Sequence, residues 1–171
     1  MPFHSGTLAR WTRSHADILL GYAGSMSVNS RVIKTVPERV WDVLADGWLY
    51  PVWVVGATRM RDVDTDWPAQ GSKLHHSVGV WPLIVSDDTE VLECEPRQLL
   101  RLRARGWPVG EAEVAITLSA SGADTLVEIA EDLVSGPGLL VPEPARAPTI
   151  KLRNTETLRR LAFIAERRVR A

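Results

Sequence analysis

The sequence predicts an α+β fold in which one long C-terminal helix covers a curved antiparallel β-sheet. Three observations lead to this prediction. The final segment has an apolar stripe at helical spacing, residues 31–133 read mainly as alternating strands, and helical signals follow directly after the first strand. A helix with one apolar stripe needs a surface to lie on, and an antiparallel sheet offers one apolar face. We therefore expect the helix and the sheet to pack against each other.

The composition is that of a single soluble globular domain. The chain has 171 residues, of which 45% are hydrophobic and 24% charged, and this length is enough to bury a core. A net charge of -1 argues against a nucleic-acid partner, which would need a strongly basic face. A single cysteine, Cys94, allows no internal disulfide, so we expect a reducing, cytoplasmic location. No segment is apolar over the length of a transmembrane span.

The N-terminal segment does not share the pattern of the rest of the chain. Residues 1–25 are basic and apolar in character, but they contain neither a sustained apolar run nor a small-residue cleavage site, so they do not read as a signal peptide. Met26 stands directly before the first strand and is a candidate start. We predict an uncertain N-terminal extension over residues 1–25 and one folded domain over residues 26–171.

The folded part begins with a strand and two short helices. Residues 28–35 are rich in β-branched side chains and predict the strand. Pro37 suits the first turn of a helix, Glu38 follows at its positive end, and Gly47 ends it. The aromatic segment over residues 48–53 predicts a second short helix or a turn.

The middle of the chain predicts a run of antiparallel strands. Their predicted ranges are 55–63, 72–80, 83–95, 98–106, 111–120 and 125–133. On one of these strands the polar face carries arginines, and on the next it carries glutamates. The residues concerned are Arg101, Arg103, Arg105, Glu111 and Glu113. This alternation predicts cross-strand ion pairs on a solvated outer surface.

The C-terminal part predicts a connector and then the long helix. Residues 135–148 are rich in Pro and Gly, and Pro148 suits the first turn of a helix over residues 149–168. One face of this helix carries Asn154, Leu158, Leu161, Ala162, Ala165 and Val169. Asn154 is the polar exception within that stripe, whereas Phe163 lies among the charged residues of the other face.

The order of these elements, and three stretches within it, resemble the SRPBCC superfamily (START/Bet v 1-like), in particular its polyketide cyclase/dehydrase and lipid-transport branch. The stretches are VNSRVIKTVPERVWDVLADGWLYPVWVVG, EVLECEPRQLLRLRARG and RNTETLRRLAFIAERR, within a resemblance that spans residues 26–168. It implies the helix-grip fold, with an apolar cavity between the curved sheet and the long helix. It also implies binding of a lipid, a polyketide or a similar molecule, while a minority of the family catalyses cyclisation or dehydration.

The candidate ligand-binding residues come from the aromatic segment, one hairpin and the inward face of the helix. They are Trp48, Tyr50, Trp53, His76, Trp81, Asn154, Leu158 and Leu161. In the family the aromatic segment lies beside the cavity. Trp81 stands in a turn, where an exposed tryptophan suggests a cavity mouth or a partner surface. For each tryptophan, the alternative is ordinary packing in the core or over the sheet.

His76 and Tyr50 are the acid–base candidates. His75 and His76 are neighbours in a predicted strand, so their side chains face opposite sides of the sheet. If Leu74, His76 and Val78 share the apolar face, His75 points outward, and a β-bulge in the strand would reverse this. An inward histidine is suited to proton transfer, or it merely forms hydrogen bonds with the backbone or with water.

The sequence has no signature of metal, nucleotide or hydrolase chemistry. The adjacent histidines cannot hold one ion together, and HExxH, a cysteine pair, GxSxG, GxGxxG and GxxxxGK[ST] are all absent. We therefore predict no metal and no cofactor. The preferred function is binding of a hydrophobic small molecule under the C-terminal helix. The alternatives are a cyclase or dehydratase that uses His76 or Tyr50, and an interaction protein with a filled core.

Overall fold

The computed structural model describes residues 27–80, 83–106 and 110–168, and these residues form the expected α+β fold. The predicted N-terminal extension, Met26 and Trp81 lie outside the described residues. In chain order the elements are β1 (Ser27–Ile33), α1 (Pro37–Leu44), a 3₁₀ helix (Gly47–Leu49), α2 (Tyr50–Trp53), β2 (Ala57–Val63), β3 (Lys73–Val80), β4 (Leu83–Glu95), β5 (Leu99–Gly106), β6 (Gly110–Ser121), β7 (Asp124–Ser135), a second 3₁₀ helix (Pro137–Leu140) and α3 (Glu143–Arg167).

The strands form one seven-stranded sheet in the order β1-β7-β6-β5-β4-β3-β2. Every neighbouring pair is antiparallel. The register shifts at irregularities within the β2–β3, β4–β5 and β6–β7 pairs. Such bulges bend a strand and increase its local twist, which suits a sheet that curves around a helix. The predicted curved antiparallel sheet is therefore confirmed.

The C-terminal half of α3 is packed into the core. Its predicted apolar stripe is confirmed over the described residues, because Leu158, Leu161, Ala162 and Ala165 are all buried, whereas Val169 lies outside those residues. They join a cluster with side chains of α1 and of the strands, including Ile33, Val40, Val43, Leu44 and Ile129. Full burial of one leucine contributes about 1.5–3 kcal/mol, so this half of the helix is firmly attached to the sheet.

The start of α3 differs from the prediction. The helix begins at Glu143 rather than at residue 149, so much of the predicted connector is helical and Pro148 lies inside the helix. Pro144 costs little, since the first N–H groups of a helix have no partner within it. Pro148 removes the hydrogen bond to the carbonyl of Pro144, and its ring also crowds that carbonyl. Within the described residues, no helix combines the length and the apolarity that crossing a membrane requires.

The predicted charge ladder is present on the outer face of β5 and β6. Arg101 and Arg103 both donate to Glu113, at 2.8 and 3.1 Å, and Arg105 donates to Glu111 at 3.0 Å. Two guanidinium groups hold the pKa of Glu113 below its usual value, although partial burial of the carboxyl acts against them. The opposite, concave face of the sheet is therefore the one available to α3.

Candidate functional site

A cavity of about 540 Å³ lies between the sheet and the N-terminal half of α3. Its floor comes from β5, β6 and β7, its roof from α3, and one end from α2. Most of the wall is apolar, and the apolar side chains are Leu102, Ala104, Ala112, Val114, Ile116, Ile129, Leu133, Val141, Ala145 and Ile150. Volume and composition are typical of small-molecule sites, which measure roughly 300–1,000 Å³ and have mostly hydrophobic walls.

Side-chain size explains why the gap lies under this half of the helix. Leu158 and Leu161 fill the space beneath the C-terminal half and are almost completely buried. Beneath the N-terminal half, the lining includes three small residues, Ala104 and Ala112 on the sheet and Ala145 on α3. Since protein interiors are normally close-packed, small residues on both facing elements leave a space that no side chain fills.

A buried carboxylate anchors the polar part of the wall. Glu131 on β7 is buried and accepts hydrogen bonds from the guanidinium of Arg153 and from the amide of Asn154, the latter at 2.9 Å. A charge removed from water is tolerated when it is paired and hydrogen-bonded, as this one is. Nearby, the hydroxyl of Thr157 accepts from the backbone N–H of Val55 at 3.3 Å. The hydrogen bond to Glu131 explains why Asn154, a polar residue, lies in the apolar stripe of α3.

A second polar group, defined here as the Tyr50–Thr89–His76 chain, lies at the α2 end of the cavity. The hydroxyls of Tyr50 and Thr89 are 3.3 Å apart, and Nε2 of His76 is 2.8 Å from the Thr89 hydroxyl. Burial raises the pKa of Tyr50 and lowers the pKa of His76, so both side chains are neutral at pH 7. Nδ1 of His76 has no hydrogen-bond partner among the described residues.

The two histidines face opposite sides of β3, as the alternation predicts. His76 is 2% exposed and lies against the Tyr50 ring, with 5.3 Å between the ring centroids. His75 is on the outer side, where its ring nitrogens lie 2.8 Å from Asp88 and 3.2 Å from Asp64. The hydrogen bond to Asp88 is the main reason that the pKa of His75 is raised. No cluster of His, Cys, Asp or Glu among the described residues is arranged to hold a metal ion.

The structure brings three of the sequence-predicted site residues together on the cavity wall. Tyr50, Trp53 and Asn154 all line it. His76 does not reach the wall, because it lies behind Tyr50 and contacts the hydroxyl of Thr89. Leu158 does not line the cavity and, like Leu161, belongs to the packed core. Whether any of these side chains binds a ligand stays a prediction.

Trp48 lies away from this cavity. Its residue is 57% exposed and lines a separate surface cleft of about 740 Å³ beside Trp67 and Arg168. The reason is local: Gly47 is buried so tightly that an added Cβ would lie 2.6 Å from a methyl group of Leu74, and the next residue of the 3₁₀ helix turns outward. The cleft is wider, but its charged wall suits an apolar ligand less well than the cavity does.

Sequence reasoning missed the charged residues of the wall, which are Arg105, Glu131, Arg146 and Arg153. Alternation along β7 offers a signal for Glu131, since Val127, Ile129 and Glu131 share one face and a carboxylate stands there among apolar side chains. Arg146 was hidden by its position in the Pro-rich segment, which reads as a connector. Its role on the wall follows only from the early start of α3.

Comparison with known proteins identifies the architecture. No family model matches the chain, and no curated protein matches its sequence. Among solved structures, protein CV1439 from Chromobacterium violaceum matches with a TM-score of 0.62 and 18% identity, over 84% of this chain and 99% of that chain. Ara h 8.0201 matches with a TM-score of 0.65 and 7% identity, over 84% and 98% of the two chains. The chain has the helix-grip fold.

A third helix-grip structure extends the comparison. The di-domain ARO/CYC StfQ from the steffimycin biosynthetic pathway matches with a TM-score of 0.63 and 8% identity, over 88% of this chain and 54% of that chain. The predicted helix-grip fold is thus confirmed. In this helix-grip chain, the helix closes on the sheet along its C-terminal half and leaves the cavity under its N-terminal half.

Proposed function

We propose that the protein binds a hydrophobic small molecule in the cavity between the sheet and α3. The observation that supports this most directly is the cavity itself, which has about 540 Å³ of space and mostly apolar walls. Its polar groups include Glu131, Arg153 and Asn154 on one side and Tyr50 at the α2 end. Apolar walls contribute affinity, and a small number of polar groups fix orientation.

The cavity also weighs against the third possibility, an interaction protein with a filled core. A void of this size leaves apolar side chains without contacts that close packing would provide. A ligand would supply those contacts and would stabilise the folded state in proportion to its occupancy. The similar helix-grip structures leave the identity of the ligand open, since one of them is an ARO/CYC of a biosynthetic pathway and another is Ara h 8.0201.

Binding of a neutral apolar fluorophore tests the proposal. N-phenylnaphthylamine should show a saturable rise in fluorescence with the purified protein, because it leaves water for an apolar site. Ala112→Trp, which places an indole in the cavity floor, should weaken this binding by at least about tenfold. The matched control is Ala120→Trp, on the exposed end of the same strand, and it should leave binding unchanged.

Two results would contradict the proposal. One is the absence of saturable fluorescence together with the absence of any small-molecule adduct in native mass spectrometry. The other is equal binding by the Ala112→Trp and Ala120→Trp variants, which would place the fluorophore outside the cavity. Circular dichroism spectra of both variants should match that of the wild-type protein, so that a loss of binding is not due to a loss of folded protein.

The Tyr50–Thr89–His76 chain favours a second candidate function, a cyclase or dehydratase. The Tyr50 hydroxyl is at the cavity end and is protonated at neutral pH, although its raised pKa makes it a weaker acid than a free tyrosine. Thr89 and His76 lie behind it, and the Thr89 hydroxyl contacts both side chains. Turnover of an aromatic polyketide intermediate that is lost in Tyr50→Phe, with fluorophore binding retained, would support this function. Wild-type protein without turnover would contradict it.

A further inference from the structure

Three arginines are among the residues that line the cavity. They are Arg105, Arg146 and Arg153, and Glu131 is the only carboxylate among the described lining residues. Glu131 is already engaged, since one oxygen accepts from Arg153 and the other from Asn154. All three arginines have carboxylate partners, so what distinguishes them is the distance to the partner.

Arg146 is the arginine with the most unused hydrogen-bonding capacity. Only 16% of its side chain is exposed, and its one ionic contact joins Nη2 to the carboxylate of Asp132 at 3.6 Å, which is too long for a hydrogen bond. Among the described residues, no acceptor receives a hydrogen bond from its side chain. A guanidinium has five N–H donors, and those of Arg146 make no hydrogen bond to a described residue. An acceptor that enters the cavity can therefore bind Arg146 without displacing a hydrogen bond within the protein.

The other two arginines are occupied differently. Arg105 is exposed and donates to Glu111 at 3.0 Å, and Arg153 is paired with Glu131. Arg146 has instead a neighbouring hydroxyl group on its own helix, that of Thr149. Thr149 lies three residues further along α3, hence on the same helical face, and also lines the cavity. A guanidinium and a hydroxyl on one face form a suitable site for a carboxylate.

We infer that the ligand is an amphipathic monocarboxylic acid, whose apolar body fills the cavity and whose carboxylate binds Arg146 and Thr149. This inference rests on the proposed function and specifies the ligand class. The carboxylate supplies hydrogen-bond acceptors to a guanidinium whose contact with Asp132, at 3.6 Å, is too long for a hydrogen bond. Arginine is the side chain best suited to this role, because its planar fork matches the two oxygens of a carboxylate.

A charge series with one alkyl chain tests the inference. Dodecanoate, dodecanol and dodecylammonium are each used to displace N-phenylnaphthylamine at pH 8, below their micellar concentrations. Wild-type protein should bind dodecanoate about tenfold more tightly than dodecanol, and dodecylammonium most weakly. Arg146→Gln should remove the preference for dodecanoate over dodecanol. The matched control is Arg159→Gln, on the exposed face of the same helix, and it should keep the preference.

Each outcome bears on a different claim. Failure of the fluorophore and of all three alkyl compounds to bind would overturn the proposed function, and the inference with it. Binding of the fluorophore with equal affinities for dodecanoate and dodecanol would overturn the inference alone. An acid preference that survives in folded Arg146→Gln would likewise overturn the assignment of Arg146. The wild-type series remains decisive if that variant does not fold, because it needs no substitution.

Discussion

The adjacent histidines of β3 show how strongly position determines the chemistry of a residue. His75 lies between the carboxylates of Asp64 and Asp88, and its pKa is raised. His76 is buried beside Tyr50, and its pKa is lowered. The two residues are adjacent in sequence, but one lies in an ion-pair site on the outer face of the sheet and the other is buried on the opposite face. At neutral pH, His75 is therefore protonated to a greater extent than a free histidine, and His76 to a smaller extent.

We predict that the two histidines titrate in opposite directions from the ordinary value of about 6.5. In NMR titrations of the imidazole protons, the His75 midpoint should lie above that value and the His76 midpoint below it. His75→Gln and His76→Gln provide the assignments. Equal midpoints, or a reversed order, would contradict the placement of the two side chains.

The same pKa shifts have opposite consequences for stability. His75 contributes stability that is fully present below about pH 6.5 and is lost as pH rises through its raised folded pKa. His76 contributes stability that is present above about pH 6.5 and is lost as pH falls through its lowered folded pKa. In urea unfolding, the wild-type protein should therefore lose free energy of unfolding as the pH rises above about 6.5. The His75→Gln variant should lack this loss. The loss should be at most about 1 kcal/mol, since His75 is partly exposed.

Residue orientations were predictable where alternation was regular. The inward position of His76 follows from Leu74 and the period of two, and the bulges near it belong to β2 rather than to β3. Trp48 was assigned to the cavity side because the aromatic segment as a whole lies near it. Its actual direction depends on the tight burial of Gly47, which is a tertiary contact that the sequence does not display.

At the scale of elements, α3 consists of two halves with different partners. The C-terminal half carries the apolar stripe and packs against α1 and the sheet. The N-terminal half bears Ala145, Arg146 and Thr149, and it covers the cavity. Prolines obscured this half in the sequence. The sequence predicts Pro148 in the first turn of the helix, whereas the first turn in fact contains Pro144. The stripe was therefore predictable, and the cavity-facing turns were not.

The contact between the start of β6 and the end of β7 provides a prediction for the cavity floor. Gly110 begins β6 with a φ of 130°, and an added Cβ would lie 1.9 Å from the carbonyl oxygen of Ser135. Gly110→Ala should therefore lower the free energy of unfolding by about 3 kcal/mol, from strain and from the displaced strand end. Chemical denaturation measures this loss.

Gly122→Ala is the matched control for that prediction. Gly122 also has a positive φ, of 64°, but nothing lies within 4 Å of an added Cβ. Only the backbone strain remains, so the loss should be about 1–2 kcal/mol. Equal losses in the two alanine variants would contradict the close approach of β6 to the end of β7.

At the scale of the whole molecule, the cavity lies where α3 and the curved sheet do not fill the space between them. The run of antiparallel strands, the long terminal helix and the two short helices were predictable from periodicity, turn residues and family resemblance. The location and charge of the cavity were not, because they depend on which facing residues are small and on charged residues brought in by long-range pairing. Glu131 and Arg153 illustrate this, since their contact joins β7 to α3.

Methyl NMR with N-phenylnaphthylamine tests the central claim most directly. The fluorophore is titrated into protein labelled at isoleucine, leucine and valine methyl groups. The account predicts shifts at Ile116, Ile129 and Ile150, which line the cavity, and none at Leu44 or Val63, which lie in the core and beside the surface cleft. Shifts concentrated at Val63, or an unchanged spectrum at saturating fluorophore, would contradict it.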